Sequence, residues 1–285
     1  GLYGGTIPQL DVTLRRFGVD TVFVPGGRPE DFAAAITPRT KLVFAEVVSN
    51  PSGEVADIAG LAEVAHDAGI PLVVDSTIAT PYLCRPIEHG ADIVIHSATK
   101  FIGGHGTTIG GIVVEAGRFD WGNGKFPLMT EPVPSYGGLN WWGNFQEYGF
   151  LTKLRAEQLR DIGATLSAHS AFLLLQGVET LPQRMDAHVE NARIVAEWLA
   201  ADPRVTYVNW AGLPDHPHHE RAKTYLPKGP GAVFSFGVVG GREAGQRFIE
   251  SVQLASHLAN IGDARTLVIH PASTTHQQLS DEQLR

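Results

Sequence analysis

The sequence predicts an α/β fold built on a mostly parallel sheet. Two short apolar runs, at residues 72–74 and 93–95, each end abruptly in polar residues. Such β-branched runs, bounded by glycine and proline, are typical of strands that are buried on both faces of a parallel sheet. Helical patterns lie between the strand-like runs, and this alternation favours a sheet covered by helices on both faces.

The predicted elements alternate from the start of the chain. Residues 3–6 have the pattern of a strand end that enters a glycine turn, and residues 9–17 that of a short helix. Right-handed crossovers then place the following strands side by side. The remaining elements of this part are strands at 18–24, 40–47 and 112–114 and helices at 29–35 and 61–68.

The pattern changes in the second half of the chain. Helical spacing runs through residues 148–175 and again through 181–200, and Pro203 follows. We therefore expect a large domain at residues 1–202 and a smaller C-terminal α+β domain at 203–285. The smaller domain is predicted to contain strands at 205–209, 232–239 and 267–270 and a helix at 241–254.

Composition narrows the possible partners and the compartment. A formal charge of -8 and a pI near 5.8, without any basic run, argue against a nucleic acid or an anionic membrane as partner. No apolar segment approaches the length of a membrane span. The single cysteine, Cys84, cannot form an internal disulfide, and no signal peptide precedes the first strand, so we expect a cytoplasmic protein.

Polar side chains follow the two central strands where each strand ends. Asp75 ends the first run, and Ser97, Thr99 and Lys100 follow the second. Singly, such residues are more often helix caps, turn formers or solvated charges. Ligands of open α/β sheets bind beyond the carboxyl ends of the strands, where these side chains would converge. Pyridoxal phosphate needs an amine for its aldehyde, a carboxylate for its ring nitrogen and donors for its phosphate, so the set predicts this cofactor.

Two other patterns resemble ligand sites and are set aside. The glycines at 104, 106 and 110 approach a dinucleotide-binding fingerprint, but a strand-like run at 112–114 follows them where that motif requires a helix. The histidines at 216, 218 and 219 lie in a polar loop with a proline and without a second cluster at ligand spacing. We therefore predict no nucleotide site and no metal site. His96, which alternates with outward residues of its strand, is expected to pack in the core.

Four motifs together resemble a known family. They are YGGT at residues 3–6, VVDST at 73–77, SATKFIGGHG at 97–106 and HPASTTH at 270–276. The sequence is similar to the Cys/Met-metabolism enzymes that use pyridoxal phosphate, a branch of the fold-type I aminotransferase-like superfamily. A long insertion at 117–144, rich in glycine, proline and aromatic residues, resembles that of the members acting on O-acetylhomoserine, the O-acetylhomoserine sulfhydrylases.

The resemblance implies a role for each matching residue. It makes Lys100 the residue that binds the cofactor's aldehyde and moves protons during catalysis, and Asp75 the partner of the ring nitrogen. Tyr3 would stack on the ring and belong to the catalytic residues, and Asn50 would bind the phenolic oxygen. Ser97 and Thr99 would bind the phosphate.

The resemblance assigns fewer residues to substrate binding than to cofactor binding. The resemblance places the segment around Asn260 against the substrate's carboxylate, and Asn260 is therefore a substrate-binding candidate. The family's carboxylate-binding arginine lies beyond the HPASTTH motif in a strand that this sequence does not reach, and Arg285 ends the chain too early to take its place.

The implied reaction is the replacement of the acetate of O-acetyl-L-homoserine by sulfide, which gives L-homocysteine and acetate. The chemistry of cystathionine γ-synthase, methionine γ-lyase and O-succinylhomoserine sulfhydrylase uses the same core and remains open. Family members are homotetramers whose active sites take residues from a neighbouring subunit's N-terminal segment. Compared with them this chain lacks both ends, so we also expect a partial chain, which leaves open a catalytically incompetent polypeptide.

Overall fold

The structure, a computed structural model, describes residues 1–271. Its largest sheet has four strands in the order β1-β2-β3-β4. The first three are parallel, and β4 joins the edge antiparallel to β3. This arrangement confirms the predicted α/β class with a mostly parallel sheet. The strands are β1 (Val43–Glu46), β2 (Leu72–Asp75), β3 (Ile93–Ser97) and β4 (Gly111–Glu115).

The helices differ widely in length. The two longest, Ala168–Glu179 and Leu181–Ala200, follow one another, and both contact the turn that carries Lys100. The α-helices are α1 (Thr6–Pro8), α2 (Pro29–Ala35), α3 (Ile58–Asp67), α4 (Thr80–Leu83), α5 (Pro127–Thr130), α6 (Trp141–Phe145), α7 (Gly149–Lys153), α8 (Ala168–Glu179), α9 (Leu181–Ala200), α10 (His219–Tyr225) and α11 (Gly241–Ser251). Among the described residues, no helix combines the length and apolarity that crossing a membrane requires.

The main core lies on the helix-covered faces of the central strands. Leu72 and Val74 of β2 are fully buried, and Ile58 and Leu61 of α3 belong to the same cluster. A second cluster contains the aromatic insertion, where Trp121 stacks on Phe150 with ring centroids 5.0 Å apart. The insertion is therefore packed against the sheet, as its aromatic content predicts.

The C-terminal part forms two small sheets. Strands β5 (Val205–Asn209) and β6 (Ser235–Val238) pair antiparallel, and β7 (Ser256–His257) and β8 (Leu267–Val268) pair parallel. These elements match the predicted α+β composition after residue 202. The division into domains 1–202 and 203–285 stays a prediction. Of the HPASTTH motif, residues 272–276 lie outside the described residues, as does Arg285.

Three predicted elements differ from the structure. At residues 3–6 the predicted glycine turn is present, but no described residue before it forms a strand, and the turn leads directly into α1. Residues 18–24 form no strand, and Val22 in this stretch is 69% exposed. A parallel strand needs a hydrogen-bonding neighbour, and the described residues contain none for this segment. The predicted continuous helix at 148–175 is also interrupted, because Gly163 adopts a left-handed conformation (φ 84°) that ends the helical run before α8.

Candidate functional site

The sheet places Asp75 and the lysine-bearing turn next to each other. Asp75 is the last residue of β2 and lies opposite Ile95 of the parallel strand β3. Strand β3 ends two residues later at Ser97, and Lys100 follows in the turn after it. The carboxyl ends of β2 and β3 therefore meet at one edge of the sheet, as the sequence predicts.

Thr77 links the two strand ends. Its backbone N–H donates to Asp75 Oδ1 at 2.8 Å, and its hydroxyl oxygen accepts from the backbone N–H of Ser97 at 2.8 Å. Among the described residues, Asp75 has no other hydrogen bond to its carboxylate. One carboxylate oxygen of Asp75 is thus held by the turn while the other remains able to accept a proton donor from a ligand.

Lys100 lies in a setting that favours its neutral form. The side chain is half-buried, and burial lowers the pKa of its amine. Nζ donates to Oδ1 of Asn260 at 2.5 Å, and no carboxylate within the described part of the chain forms an ion pair with it. Because only a neutral amine attacks an aldehyde, this environment suits a covalent role for Lys100.

The two hydroxyls predicted to bind a phosphate differ in their surroundings. The Thr99 hydroxyl donates to the carbonyl of Gly110 at 3.2 Å and accepts from its N–H at 3.0 Å, so it fastens the glycine-rich loop. The hydroxyl of Ser97 forms no hydrogen bond to other described residues. Ser97 is therefore the freer of the two to contact a ligand.

Tyr3 reaches the site through a residue that the sequence analysis missed. Its backbone N–H donates to Oε1 of Glu46 at 2.6 Å, while 54% of the residue is exposed. Glu46 ends β1, lies opposite Asp75 and is 8% exposed. Burial raises the pKa of Glu46 to about 7. Asn50 lies in the turn just after β1, at the same edge of the sheet.

A segment from the C-terminal part closes over the lysine turn. The N–H of Ala264 donates to the carbonyl of Gly104 at 2.9 Å, and Asn260 contacts Lys100 as described. Gly262 has a φ of 74°, and a Cβ at that position would lie 2.4 Å from the backbone nitrogen of Phe101. Only glycine fits this close approach, which brings Asn260 to the lysine.

The histidines at 96, 216, 218 and 219 form their hydrogen bonds outside this site. His96 is buried, its Nδ1–H donates to the carbonyl of Ser76 at 3.0 Å, and burial lowers its pKa, which confirms its core role. His216, His218 and His219 form hydrogen bonds with Asn209, Val55 and Ala211. The predicted absence of a metal there stays a prediction.

The residues present fit pyridoxal phosphate. Lys100 offers a half-buried amine whose pKa is lowered, and Asp75 offers a carboxylate oxygen without a protein partner among the described residues. Ser97 adds a free hydroxyl, and Tyr3 an exposed ring. An amine for the aldehyde, an acid for the ring nitrogen and a donor for the phosphate are the groups that this cofactor requires.

Comparison with known proteins agrees with this chemistry. The sequence is 52% identical over 285 residues to sulfhydrylase FUB7 of Fusarium oxysporum f. sp. lycopersici, covering 99% of this chain and 66% of that protein. It is 50% identical over 285 residues to the homocysteine synthase of Schizosaccharomyces pombe, with coverages of 99% and 66%. The chain thus spans about two thirds of the length of these curated relatives.

A solved structure shows the same fold. A Campylobacter jejuni protein described as an O-acetylhomoserine (thiol)-lyase superimposes with a TM-score of 0.94 at 35% identity, covering 99% of this chain and 68% of the other. That crystal structure contains N'-pyridoxyl-lysine-5'-monophosphate. The sequence also matches the family described as "Cys/Met metabolism PLP-dependent enzyme" over residues 1–285. On these matches, and on a site that fits the cofactor, the chain belongs to the Cys/Met metabolism family of pyridoxal-phosphate-dependent enzymes.

Proposed function

We propose that this chain carries the active site of a transferase that replaces the acetate of O-acetyl-L-homoserine with sulfide. The products are L-homocysteine and acetate, which places the reaction in methionine biosynthesis. The single observation that carries the proposal is Lys100, a half-buried amine with a lowered pKa in the turn after β3, beside the strand that ends in Asp75. The names of the relatives, sulfhydrylase and homocysteine synthase, support the choice of thiol and product.

The cofactor, when bound, supplies an aldehyde for the amine of Lys100 and an aromatic ring that takes up electrons from the substrate's Cα. Asp75 then accepts the ring N–H through its free carboxylate oxygen and keeps the ring cationic. Tyr3 covers one face of the ring, Asn50 binds its phenolic oxygen, and Ser97 donates to the phosphate. Thr99 contributes to the same phosphate site by fastening the Gly103–Gly110 region around it.

Lys100 acts as both base and acid. Once the substrate's amine has displaced it, its neutral Nζ removes the proton from the substrate's Cα and later returns one. Because burial lowers the pKa of Lys100, the amine is available as a base closer to neutral pH than an exposed lysine. A second proton would move from Cβ to a base of the site as acetate leaves from Cγ; hydrosulfide would then add at Cγ, and protons would return to Cβ and Cα, which gives homocysteine.

Asn260 can serve both the lysine and the substrate. Its Oδ1 accepts from Lys100 at 2.5 Å, which leaves the two N–H donors of the amide. We propose that these donors contact the substrate's carboxylate. The lysine that moves the proton and the carboxylate next to the reacting Cα are then held by opposite ends of one amide group.

Assembly and compartment follow the same proposal. We propose a homotetramer built of dimers, located in the cytoplasm, in which a neighbouring subunit completes each site. The charge of -8 and the lack of a membrane-crossing helix among the described residues are compatible with it.

Activity assays on the purified chain with added pyridoxal phosphate test the proposal. We expect homocysteine from O-acetylhomoserine and sulfide, and less product from O-succinylhomoserine or when cysteine replaces sulfide. Lys100→Ala should abolish both turnover and the visible absorbance of the bound cofactor, whereas Lys223→Ala, which changes an exposed lysine, should abolish neither. Turnover that survives in Lys100→Ala would refute the assignment. A wild-type chain that binds cofactor without forming product would support the incompetent-chain alternative.

A further inference from the structure

The turn that carries Lys100 cannot satisfy all its own carbonyls. Within it, the N–H of Lys100 donates to the carbonyl of Ser97 at 3.1 Å, and the N–H of Gly104 donates to the carbonyl of Lys100 at 2.8 Å. Two carbonyls of the turn, those of Phe101 and Ile102, accept no backbone N–H from residues 1–271. Both residues are buried, so these carbonyls need a partner from elsewhere in the protein.

One guanidinium supplies that partner. Arg184 of α9 donates from Nη1 to the carbonyl of Phe101 at 2.6 Å and from Nη2 to that of Ile102 at 3.1 Å. Nη2 also donates to the carbonyl of Gly177 in α8 at 2.6 Å, and Nε to the hydroxyl of Thr180 at 3.2 Å. A single side chain therefore joins the lysine turn to the helices α8 and α9.

The geometry leaves little freedom at this junction. A Cβ at Gly104 would lie 2.3 Å from Nη1 of Arg184, and a Cβ at Gly177 would lie 2.4 Å from the carbonyl oxygens of Ile102 and Gly103. Two glycines thus allow the guanidinium and helix α8 to reach backbone contact with the turn. Because the contact is this close, a displacement of α9 would also displace the turn.

Within residues 1–271, the contacts of Arg184 do not include an ion pair. No carboxylate among the described residues pairs with it, and burial lowers the pKa of its guanidinium. A half-buried cation without a carboxylate is costly to desolvate, and here carbonyl dipoles compensate it. The planar fork of arginine can serve two adjacent carbonyls at once, which the single ammonium of a lysine does less well.

We propose that Arg184 is a positioning residue for Lys100: it fixes the Phe101 and Ile102 carbonyls and so orients the turn from which the lysine reaches the cofactor. This inference rests on the proposed function, because it assumes that Lys100 reacts with the aldehyde of pyridoxal phosphate. It adds a residue 84 positions away in sequence, on a helix whose His188 also packs edge-on against Phe101 of the turn, with ring centroids 5.4 Å apart. Loss of the fork leaves two buried carbonyls unsatisfied, and the turn then samples orientations in which the amine points elsewhere.

Timed trapping of the cofactor on Lys100 tests the inference. The wild-type chain, Arg184→Gln, Arg184→Lys and the control Arg193→Gln, which alters an exposed arginine of the same helix, are each mixed with pyridoxal phosphate. Borohydride is added at intervals, and mass spectrometry measures pyridoxyl label on Lys100 and on exposed Lys223. Urea unfolding of each variant reports the folded fraction, to which the labelling rates are normalised.

We expect Arg184→Gln to slow the labelling of Lys100 at least roughly tenfold, because it removes the charge-assisted hydrogen bonds to two carbonyls of the turn, while the labelling of Lys223 stays unchanged. Arg184→Lys should recover part of the rate, and Arg193→Gln should match the wild type. A merely structural role would lower the urea midpoint and leave the normalised rate unchanged.

Wild-type-like labelling of Lys100 in the folded fraction of Arg184→Gln overturns the inference. If that variant does not fold, Arg184→Lys decides: slower labelling supports the inference, and an unchanged rate overturns it. Failure of the proposed function would be recognised in the wild-type chain itself, where Lys100 would be labelled no faster than Lys223.

Discussion

The substitution Glu46→Gln tests how burial controls charge at this edge of the sheet. Glu46 is 8% exposed, accepts the N–H of Tyr3 at 2.6 Å and lies opposite Asp75. The pKa of Glu46 is raised from 4.5 to about 7, mainly by burial and with a smaller contribution from the charge of Asp75, while the amides of Tyr3 and Asn50 and the ammonium of Gly1 oppose the rise. Glutamine has the shape of the protonated side chain and keeps an oxygen for Tyr3, but it cannot ionise.

The sign and size of the effect follow from the shift. Below pH 4.5 Glu46 is protonated in both the folded and the unfolded chain, and its ionisation does not affect the free energy of unfolding. Between pH 4.5 and about 7 the unfolded chain releases this proton while the folded chain keeps it, so stability falls as pH rises. Above that range the penalty is constant at about 3 kcal/mol, since one pKa unit corresponds to about 1.4 kcal/mol. Glu46→Gln removes the penalty.

This penalty can be measured by urea unfolding that is followed by tryptophan fluorescence. The difference in unfolding free energy between Glu46→Gln and the wild type should grow by about 3 kcal/mol in favour of the variant from pH 4.5 to pH 8. Taking the difference cancels the titrating groups that do not interact with Glu46. Glu63→Gln, at an exposed position of α3, should show a flat difference. A flat profile for Glu46→Gln as well would refute the assignment of a raised pKa by burial.

Three further substitutions probe the site. Asp75→Asn should weaken pyridoxal phosphate binding about ten- to hundredfold in equilibrium dialysis, because the ring nitrogen loses a charged partner, while the exposed control Asp67→Asn leaves it unchanged. Asn260→Ala removes the acceptor that favours the charged amine of Lys100, so the pH profile of its labelling should move to lower pH; an unchanged profile contradicts the contact. Gly262→Ala should lower the free energy of unfolding by at least about 1 kcal/mol in urea, because φ is 74° and the new Cβ meets the backbone of the lysine turn. An unchanged urea midpoint would contradict that close approach.

The fold is predictable where local pattern and pairing agree. Helix α9 begins and ends where the sequence places it, because Pro182 suits a first turn and Pro203 follows the last. Strands β2 and β3 are marked by apolar runs that stop at charged or hydroxyl residues. The segment 18–24 has an equally apolar pattern and is no strand, because strand formation depends on a neighbour that a local pattern does not report.

The site is predictable to the same degree. The strand-end rule predicts Asp75 and Lys100, and the same rule applies to Glu46, which ends the neighbouring strand β1. Arg184 carries no such signal. It is an arginine on a helix, and only the packing of α9 against the lysine turn shows what it binds.

Burial shifts two groups of this site toward their neutral forms, Glu46 by raising its pKa to about 7 and Lys100 by lowering its pKa. Because the pKa of Glu46 lies at about 7, this side chain is partly protonated near neutral pH, which reduces the negative charge beside Asp75. The carboxylate oxygen of Asp75 that has no partner among the described residues is the acceptor available to the ring nitrogen. The burial of β1 and of the turn after β3 therefore shifts the pKa of an acid and of a base in opposite directions, and both shifts favour the neutral form.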